Sequence, residues 1–249
     1  MSHQAGTGAI KNNYTGMLES SVILGKNILV LTAHPDDESF LAAGTIYANS
    51  QAGGKAFLVC ATLGEKGQSH LEEPMDEQHL KQVRRHELEQ AAQIVGVNNL
   101  KILDFPDGQV EENKQAILSE VEKLWEEINP EVIVSFGPDG ITGHKDHIAI
   151  SDVAKKLAEK HKATLAMCTI AKDVADVASE WLKSRRKTIG HYSEDECKMQ
   201  PENLTISINT EIKLKAVRCH KSQVPEENPF GSFPQNLGEA LLKQESFTL

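Results

Sequence analysis

The residue pattern predicts an α/β fold, a mostly parallel sheet covered by helices on both faces. Three observations predict it. Apolar, β-branched runs recur through the first two thirds of the chain, helical patterns separate them, and chemistry-bearing residues follow directly on two of the runs. The first run, Ile28-Leu29-Val30-Leu31, is unbroken and reads as a buried strand over about 27–33. Acidic residues then favour a helix start, and a helix is expected at about 38–52. Further strands are expected at about 55–63, 100–105, 131–136 and 163–170. The helices between them fall at about 77–95, 111–129 and 147–161, and Pro130 cannot continue the second of these into the fourth strand.

From about residue 171 the pattern weakens. It gives a helix near 173–187, a polar loop, an alternating strand Leu204-Thr205-Ile206-Ser207-Ile208, a helix near 210–222, and an irregular tail after Val224 rich in Pro, Gly and Phe. The simplest organisation is one domain over 1–249, with a core at about 27–170 and a C-terminal elaboration at about 171–249.

Charge and composition narrow the partners. A formal net charge of −10 argues against nucleic acid, whose backbone is bound through Lys/Arg patches. No apolar run approaches the ~20 residues needed to span a bilayer, and Met1 to Lys26 is polar without an apolar signal core. A soluble, cytoplasmic chain is therefore expected. Cys60, Cys168, Cys197 and Cys219 are scattered without C-x-x-C spacing, which suits a reducing compartment, and Cys60 and Cys168 read as small core hydrophobes.

The most informative segment is Ala33-His34-Pro35-Asp36-Asp37-Glu38. Pro35 disfavours helical geometry at the residue before it, so His34 caps the first strand. One aspartate at the following helix start would ordinarily be an N-cap. Two in succession after a strand-capping histidine point to a functional site. A catalytic zinc takes three protein ligands from His, Asp, Glu and Cys and leaves one position for water, whose proton a nearby carboxylate can take. A ligand pair His34 and Asp37, with Asp36 free between them, supplies both parts.

A second cluster, His144-Lys145-Asp146-His147, follows the fourth strand and the turn Gly137-Pro138-Asp139-Gly140. Taken alone, it reads equally well as two exposed histidines in a loop. Its position decides the matter, because all strands of a parallel sheet emerge at one edge. Residues 34 and 147 can meet there although 113 positions separate them (147 − 34). Asp146 can hydrogen-bond one of the ring nitrogens.

These two clusters resemble the signatures of the zinc-dependent N-acetylglucosaminyl deacetylase family, which includes the phosphatidylinositol-glycan, lincosamide-cluster, mycothiol and bacillithiol pathway deacetylases. Further segments are similar in the family's order: Thr62-Leu63-Gly64-Glu65-Lys66-Gly67, Arg84-Arg85-His86-Glu87-Leu88, Leu103-Asp104-Phe105-Pro106-Asp107-Gly108 and Cys219-His220-Lys221-Ser222-Gln223. Residues 171–203 match little. The resemblance implies a Rossmann-like three-layer fold and removal of an N-acetyl group from an N-acetylglucosamine-type conjugate. It implies Zn2+ on His34, Asp37 and His147, or another divalent cation in its place. It implies Asp36 as general base, and His144, oriented by Asp146, as oxyanion stabiliser or acid.

Arg84, Asp107, Glu65 and His220 are expected to bind substrate, with the family reading of Arg84 set against a plain helical pair with Glu87. Arg85 reads as a solvated charge, Trp125 and Trp181 as packing residues, and His3, His70, His79, His86, His161 and His191 receive no role. The expected partner is a small N-acetylated amino-sugar conjugate, and homo-oligomerisation is left open. Two rivals stand beside this reading. A metal hydrolase of another amide or ester bond would share the ligands. A non-catalytic nucleotide-binding module would share the fold, but the first turn lacks G-x-G-x-x-G.

Overall fold

The computed structural model describes residues 20–186, 201–225 and 228–249. The chain runs β1 (Asn27–Thr32), α1 (Asp37–Leu41), α2 (Ala43–Gln51), β2 (Lys55–Thr62), α3 (Glu77–Val95), β3 (Asn99–Phe105), α4 (Val110–Ile128), β4 (Val132–Phe136), α5 (Lys145–His161), β5 (Thr164–Thr169), α6 (Lys172–Arg186), β6 (Leu204–Ser207), α7 (Thr210–Val217), α8 (Gln235–Lys243) and β7 (Gln244–Thr248). One seven-stranded sheet has the order β3-β2-β1-β4-β5-β7-β6. The first five strands are parallel, while β7 is antiparallel to both β5 and β6. Helices α4 and α5 pack together on one face, and α1, α2 and α3 gather around α7 on the other. This is a Rossmann-like three-layer arrangement.

The central strands are apolar on both faces because helices cover both. Ile28, Leu29, Val30 and Leu31 of β1 and Val132, Ile133, Val134 and Phe136 of β4 are buried. They meet Ile150, Val153 and Leu157 of α5, Ile117 and Val121 of α4, and Leu88, Ala91 and Val95 of α3 in one core. Local signals set the helix ends. The Asp76 carboxylate accepts the His79 N–H at 2.7 Å to start α3, and Gly96, at φ 82°, ends it in the left-handed conformation. Asn129 ends α4 in the same way, directly before Pro130.

Several elements depart from the sequence expectation. The helix expected at 38–52 is two helices, α1 and α2, broken at Ala42 (φ −143°). The expected 210–222 helix stops at Val217, and a series of turns carries His220 and Ser222. The tail after Val224 is not irregular among the described residues, since it contains α8 and β7. β7 escaped notice because Gln244-Glu245-Ser246-Phe247-Thr248 offers one large apolar side chain, although it sits inside the sheet. His3, His191, Cys197 and the last residue of the 173–187 helix lie outside the described residues. Among the described residues, no helix is long and apolar enough to cross a membrane.

β7 also explains the break at Ala42. The Glu245 carboxylate accepts the backbone N–H groups of Gly44 (3.0 Å) and Thr45 (2.7 Å), capping α2 with a charge favoured at a helix N-terminus. Lys213 of α7 donates to Glu245 Oε1 at 2.8 Å and to the Phe40 carbonyl, at the end of α1, at 2.7 Å. Both side chains of the pair are withdrawn from solvent. Removing one partner from such a pair strands the other charge. Glu245→Ala should therefore lower stability by about 3–5 kcal/mol, read as a reduced urea midpoint at unchanged slope. Adding Lys213→Met should recover a large part of that loss, and a single variant with the parent midpoint would refute the assignment.

Candidate metal centre

β1 and β4 lie side by side, and the connections leaving them run to opposite sides, to β2 and to β5. That topology opens a crevice at the carboxyl ends of the two strands. The segment after β1 and the loop before α5 both empty into it.

Asp37 is turned back onto its own strand. Its Oδ2 accepts the backbone N–H groups of His34 (2.8 Å) and Ala33 (3.1 Å), which leaves Oδ1 3.2 Å from His147 Nε2. His147 Nε2 is 3.3 Å from His34 Nδ1, and His34 Nδ1 is 3.7 Å from Asp37 Oδ2. The outer nitrogens of both rings are occupied. His34 Nε2 lies 3.2 Å from Asp107 Oδ1 and 3.2 Å from Asp146 Oδ2, and His147 Nδ1 lies 3.2 Å from the Gly140 carbonyl. Phe136 stacks on His147 with ring centroids 4.1 Å apart. Gly140, at φ 61°, lets the backbone come this close, since a Cβ there would stand 2.8 Å from His147 Cβ.

Among the described residues, two sets of donors lie within 4.8 Å of one another: His34, His144 and His147, and His34, Asp107 and Asp146. The second set is already engaged. Asp146 accepts from Gly108 N (2.8 Å) and Val110 N (3.3 Å), and Asp107 accepts from Lys66 N (3.0 Å). Both acids face the nitrogen through which His34 gives up its proton, so they orient the ring. In the neutral tautomers that donate to these acceptors, His34 Nδ1 and His147 Nε2 turn lone pairs toward each other, with Asp37 beside them. Tetrahedral zinc at ~2.0–2.1 Å from nitrogen sets its ligand atoms roughly 3.4 Å apart. The separations of 3.2–3.7 Å among His34 Nδ1, His147 Nε2 and the Asp37 carboxylate are close to that spacing, with Asp37 presenting Oδ1 to His147 and Oδ2 to His34.

The local field favours positive charge at the same place. Burial alone would depress the His34 pKa, but hydrogen bonds donated to Asp107 and Asp146 and the charge of Asp37 push it up to about 10. Burial works against the Asp37 carboxylate too, and the two histidines outweigh it, holding the pKa well below the usual range. Asp36 behaves differently. Burial, reinforced by Asp37 and opposed by Arg84, raises it to about 6. Burial and the neighbouring imidazoles push His144 down to about 3.

The remaining residues singled out in the sequence fall around this centre. Asp36 adopts φ 109°, and its Oδ2 lies 3.3 Å from Arg84 Nη2. Arg84 is buried, donates to the Pro35 and Gly64 carbonyls, and does not pair with Glu87, whose carboxylate holds Ser222 N and Oγ at 2.7 Å each. Gly64, at φ 64°, leaves room for the guanidinium, because a Cβ would stand 2.2 Å from Arg84 Nη1. Glu65 accepts the Asp107 N–H through Oε1, and its buried Oε2 has no partner among the described residues.

Two expectations need correction. Asp146 orients His34 rather than His144, because α5 begins at Lys145 and turns the Asp146 carboxylate toward the Gly108–Val110 loop. His144 Nδ1 instead accepts the Asp146 N–H (3.2 Å) as the N-cap of α5. His220 is fully buried and bonded to Glu38 at 2.8 Å, so it stands behind the site with no surface facing a substrate. The sequence reading missed Glu38 and the Gly140 carbonyl. The acid passed for a helix-start charge, and a carbonyl in a Gly-Pro-Asp-Gly turn has no side-chain signature.

Comparison with known proteins places this geometry in context. The family model described as PIG-L, GlcNAc-PI de-N-acetylase, matches residues 29–158. A protein of Bacillus anthracis, named as probable N-acetyl-alpha-D-glucosaminyl L-malate deacetylase 2, is 36% identical over 136 residues, covering 53% of this chain and 60% of that protein. Among solved structures, the N,N'-diacetylchitobiose deacetylase of Pyrococcus horikoshii superposes with a TM-score of 0.64 at 20% identity, covering 99% of this chain and 94% of that one. GalB, a 4-carboxy-2-hydroxymuconate hydratase of Pseudomonas putida, superposes with a TM-score of 0.60 at 18% identity, covering 89% and 94%. These two structural likenesses speak for the fold alone.

The ligand assignment makes a graded prediction for metal content. His34→Ala and His147→Ala should each lose stoichiometric metal in elemental analysis. Asp146→Asn should keep the ligands but weaken binding by roughly 10–100-fold in chelator competition. One full equivalent retained by both histidine variants would remove the site.

Proposed function

The chain belongs to the PIG-L, or GlcNAc-PI de-N-acetylase, family, and from that premise we propose that it hydrolyses the acetamide of an N-acetylglucosamine-type conjugate, releasing acetate and a free amine. The observation that supports this most directly is the convergence of His34 Nδ1, His147 Nε2 and Asp37, at 3.2–3.7 Å, beside a carboxylate outside the set, Asp36. His34, Asp37 and His147 would hold a divalent cation, Zn2+ by the nature of the donors. Such an ion supplies Lewis acidity that polarises a carbonyl and lowers the pKa of water toward ~7.

The chain's own groups divide the remaining work. Asp36 is the base. Arg84 holds one of its oxygens at 3.3 Å, and a pKa raised to about 6 lets the carboxyl accept a proton from water and return it near neutral pH. His144 has its Nδ1 occupied by the Asp146 N–H, so a neutral ring carries its proton on Nε2. With the pKa pushed down to about 3, that ring serves as a hydrogen-bond donor to an oxygen gaining negative charge, and the proton for the departing amine comes from Asp36. Arg84 and Glu65 act from behind, holding the Asp36 carboxylate at 3.3 Å and the Asp107 N–H at 3.1 Å, since their unpartnered Nε and Oε2 are themselves buried.

A metal hydrolase of another amide or ester bond would share the same residues, and acetate release separates the two. The metal-loaded protein should liberate acetate from at least one of the N-acetylglucosaminyl malate, inositol and chitobiose conjugates. Asp36→Ala should slow that release by about 10²–10⁴-fold while keeping its metal. Silence on every conjugate counts against deacetylation, and near-normal turnover by Asp36→Ala counts against the base.

A further inference from the structure

We propose that Glu38 and His220 form a positioning pair that holds Asp36 in its working backbone conformation, an inference that rests on Asp36 being the base. Asp36 sits at φ 109°, ψ −31°, a region that residues with a Cβ rarely adopt. Such a conformation persists only where the surroundings over-determine it. Two grips do so here. On one side Arg84 holds the Pro35 carbonyl and the Asp36 carboxylate. On the other, the Asp36 N–H is donated to Glu38 Oε2 at 3.1 Å.

Glu38 can serve as that acceptor only if its own burial is compensated. It is fully buried, and its other oxygen receives the Ser39 hydroxyl (2.5 Å) and His220 Nε2 (2.8 Å). His220 is equally buried, and its Nδ1 has no partner among the described residues, so Glu38 is its counterpart. The turn that presents His220 is fixed through Ser222 to Glu87, on the helix that also bears Arg84. Both grips on Asp36 therefore trace back to α3. Removing His220 leaves a buried carboxylate short of its partner, and Glu38 then rotates to find another. That rotation releases the Asp36 N–H.

The test compares His220→Leu, His220→Asn and His220→Gln in the metal-loaded protein, by acetate release from whichever malate, inositol or chitobiose conjugate is turned over. Gln can place an amide nitrogen where Nε2 stands, and Asn is too short. We expect kcat to fall by roughly 10–100-fold in the Leu and Asn variants, with KM and metal content within about twofold of the parent, and most of kcat to return in the Gln variant. Introduced into Asp36→Ala, His220→Asn should have no further effect on the residual rate. Parent-like kcat in His220→Asn, loss without recovery in the Gln variant, or multiplicative losses in the Asp36→Ala background would each overturn the pair. If Asp36→Ala itself turns over normally, the base assignment fails first. If it is impaired while His220→Asn is not, only the positioning role falls.

Discussion

His34 Nδ1 and His147 Nε2 lie 3.3 Å apart, while the outer nitrogens of both rings face Asp107, Asp146 and the Gly140 carbonyl; in the neutral tautomers that donate to those acceptors, the two inner nitrogens meet with electron pairs. The condition arises one layer out. Were Asp107, Asp146 and the Gly140 carbonyl elsewhere, either ring could turn its N–H inward and the pair would become an ordinary hydrogen bond. Asp107, Asp146 and the Gly140 carbonyl thus favour the tautomers in which both inner nitrogens are free to accept.

The C-terminal third of the chain supports that centre from behind. Lys213 and Glu245 close the gap between α1 and α2, and Ser222 ties a turn to Glu87. These are buried polar contacts, each satisfied by a charge or hydroxyl from a distant stretch of sequence. They are costly to leave half made, which makes the geometry of residues 33–40 a property of the whole sheet rather than of one loop. The short helix α1, only Asp37–Leu41, could not hold its shape by its own hydrogen bonds.

Much of this was legible in the sequence. The strands β1 to β5 announced themselves by runs rich in apolar residues, and α3 by its helical pattern over about 77–95. That residues 34 and 147 meet followed from a histidine held extended by Pro35 and from the common edge of a parallel sheet, while the ligand set itself was what the family resemblance implied. What escaped was long-range and polar. β7 has little hydrophobic content, and its identity as a strand comes from its neighbours on both sides. The partner of Asp146 depended on where α5 begins, a shift of two residues from the expected start at His147. His220 offered a polar side chain near the end of a family-like motif, and only burial distinguishes a residue behind the site from one that lines it.

The placement of β7 has a consequence for how the molecule assembles. β6 pairs with β7 alone and reaches β5 only through it, so residues 204–207 stay without a sheet neighbour until 244–248 have docked. Pairings of such sequence separation are slow to form. The same docking event delivers Glu245 to the start of α2 and to Lys213. Closure of the sheet edge and the capping of α2 therefore depend on the same segment, and a chain in which 244–248 has not docked would lack both.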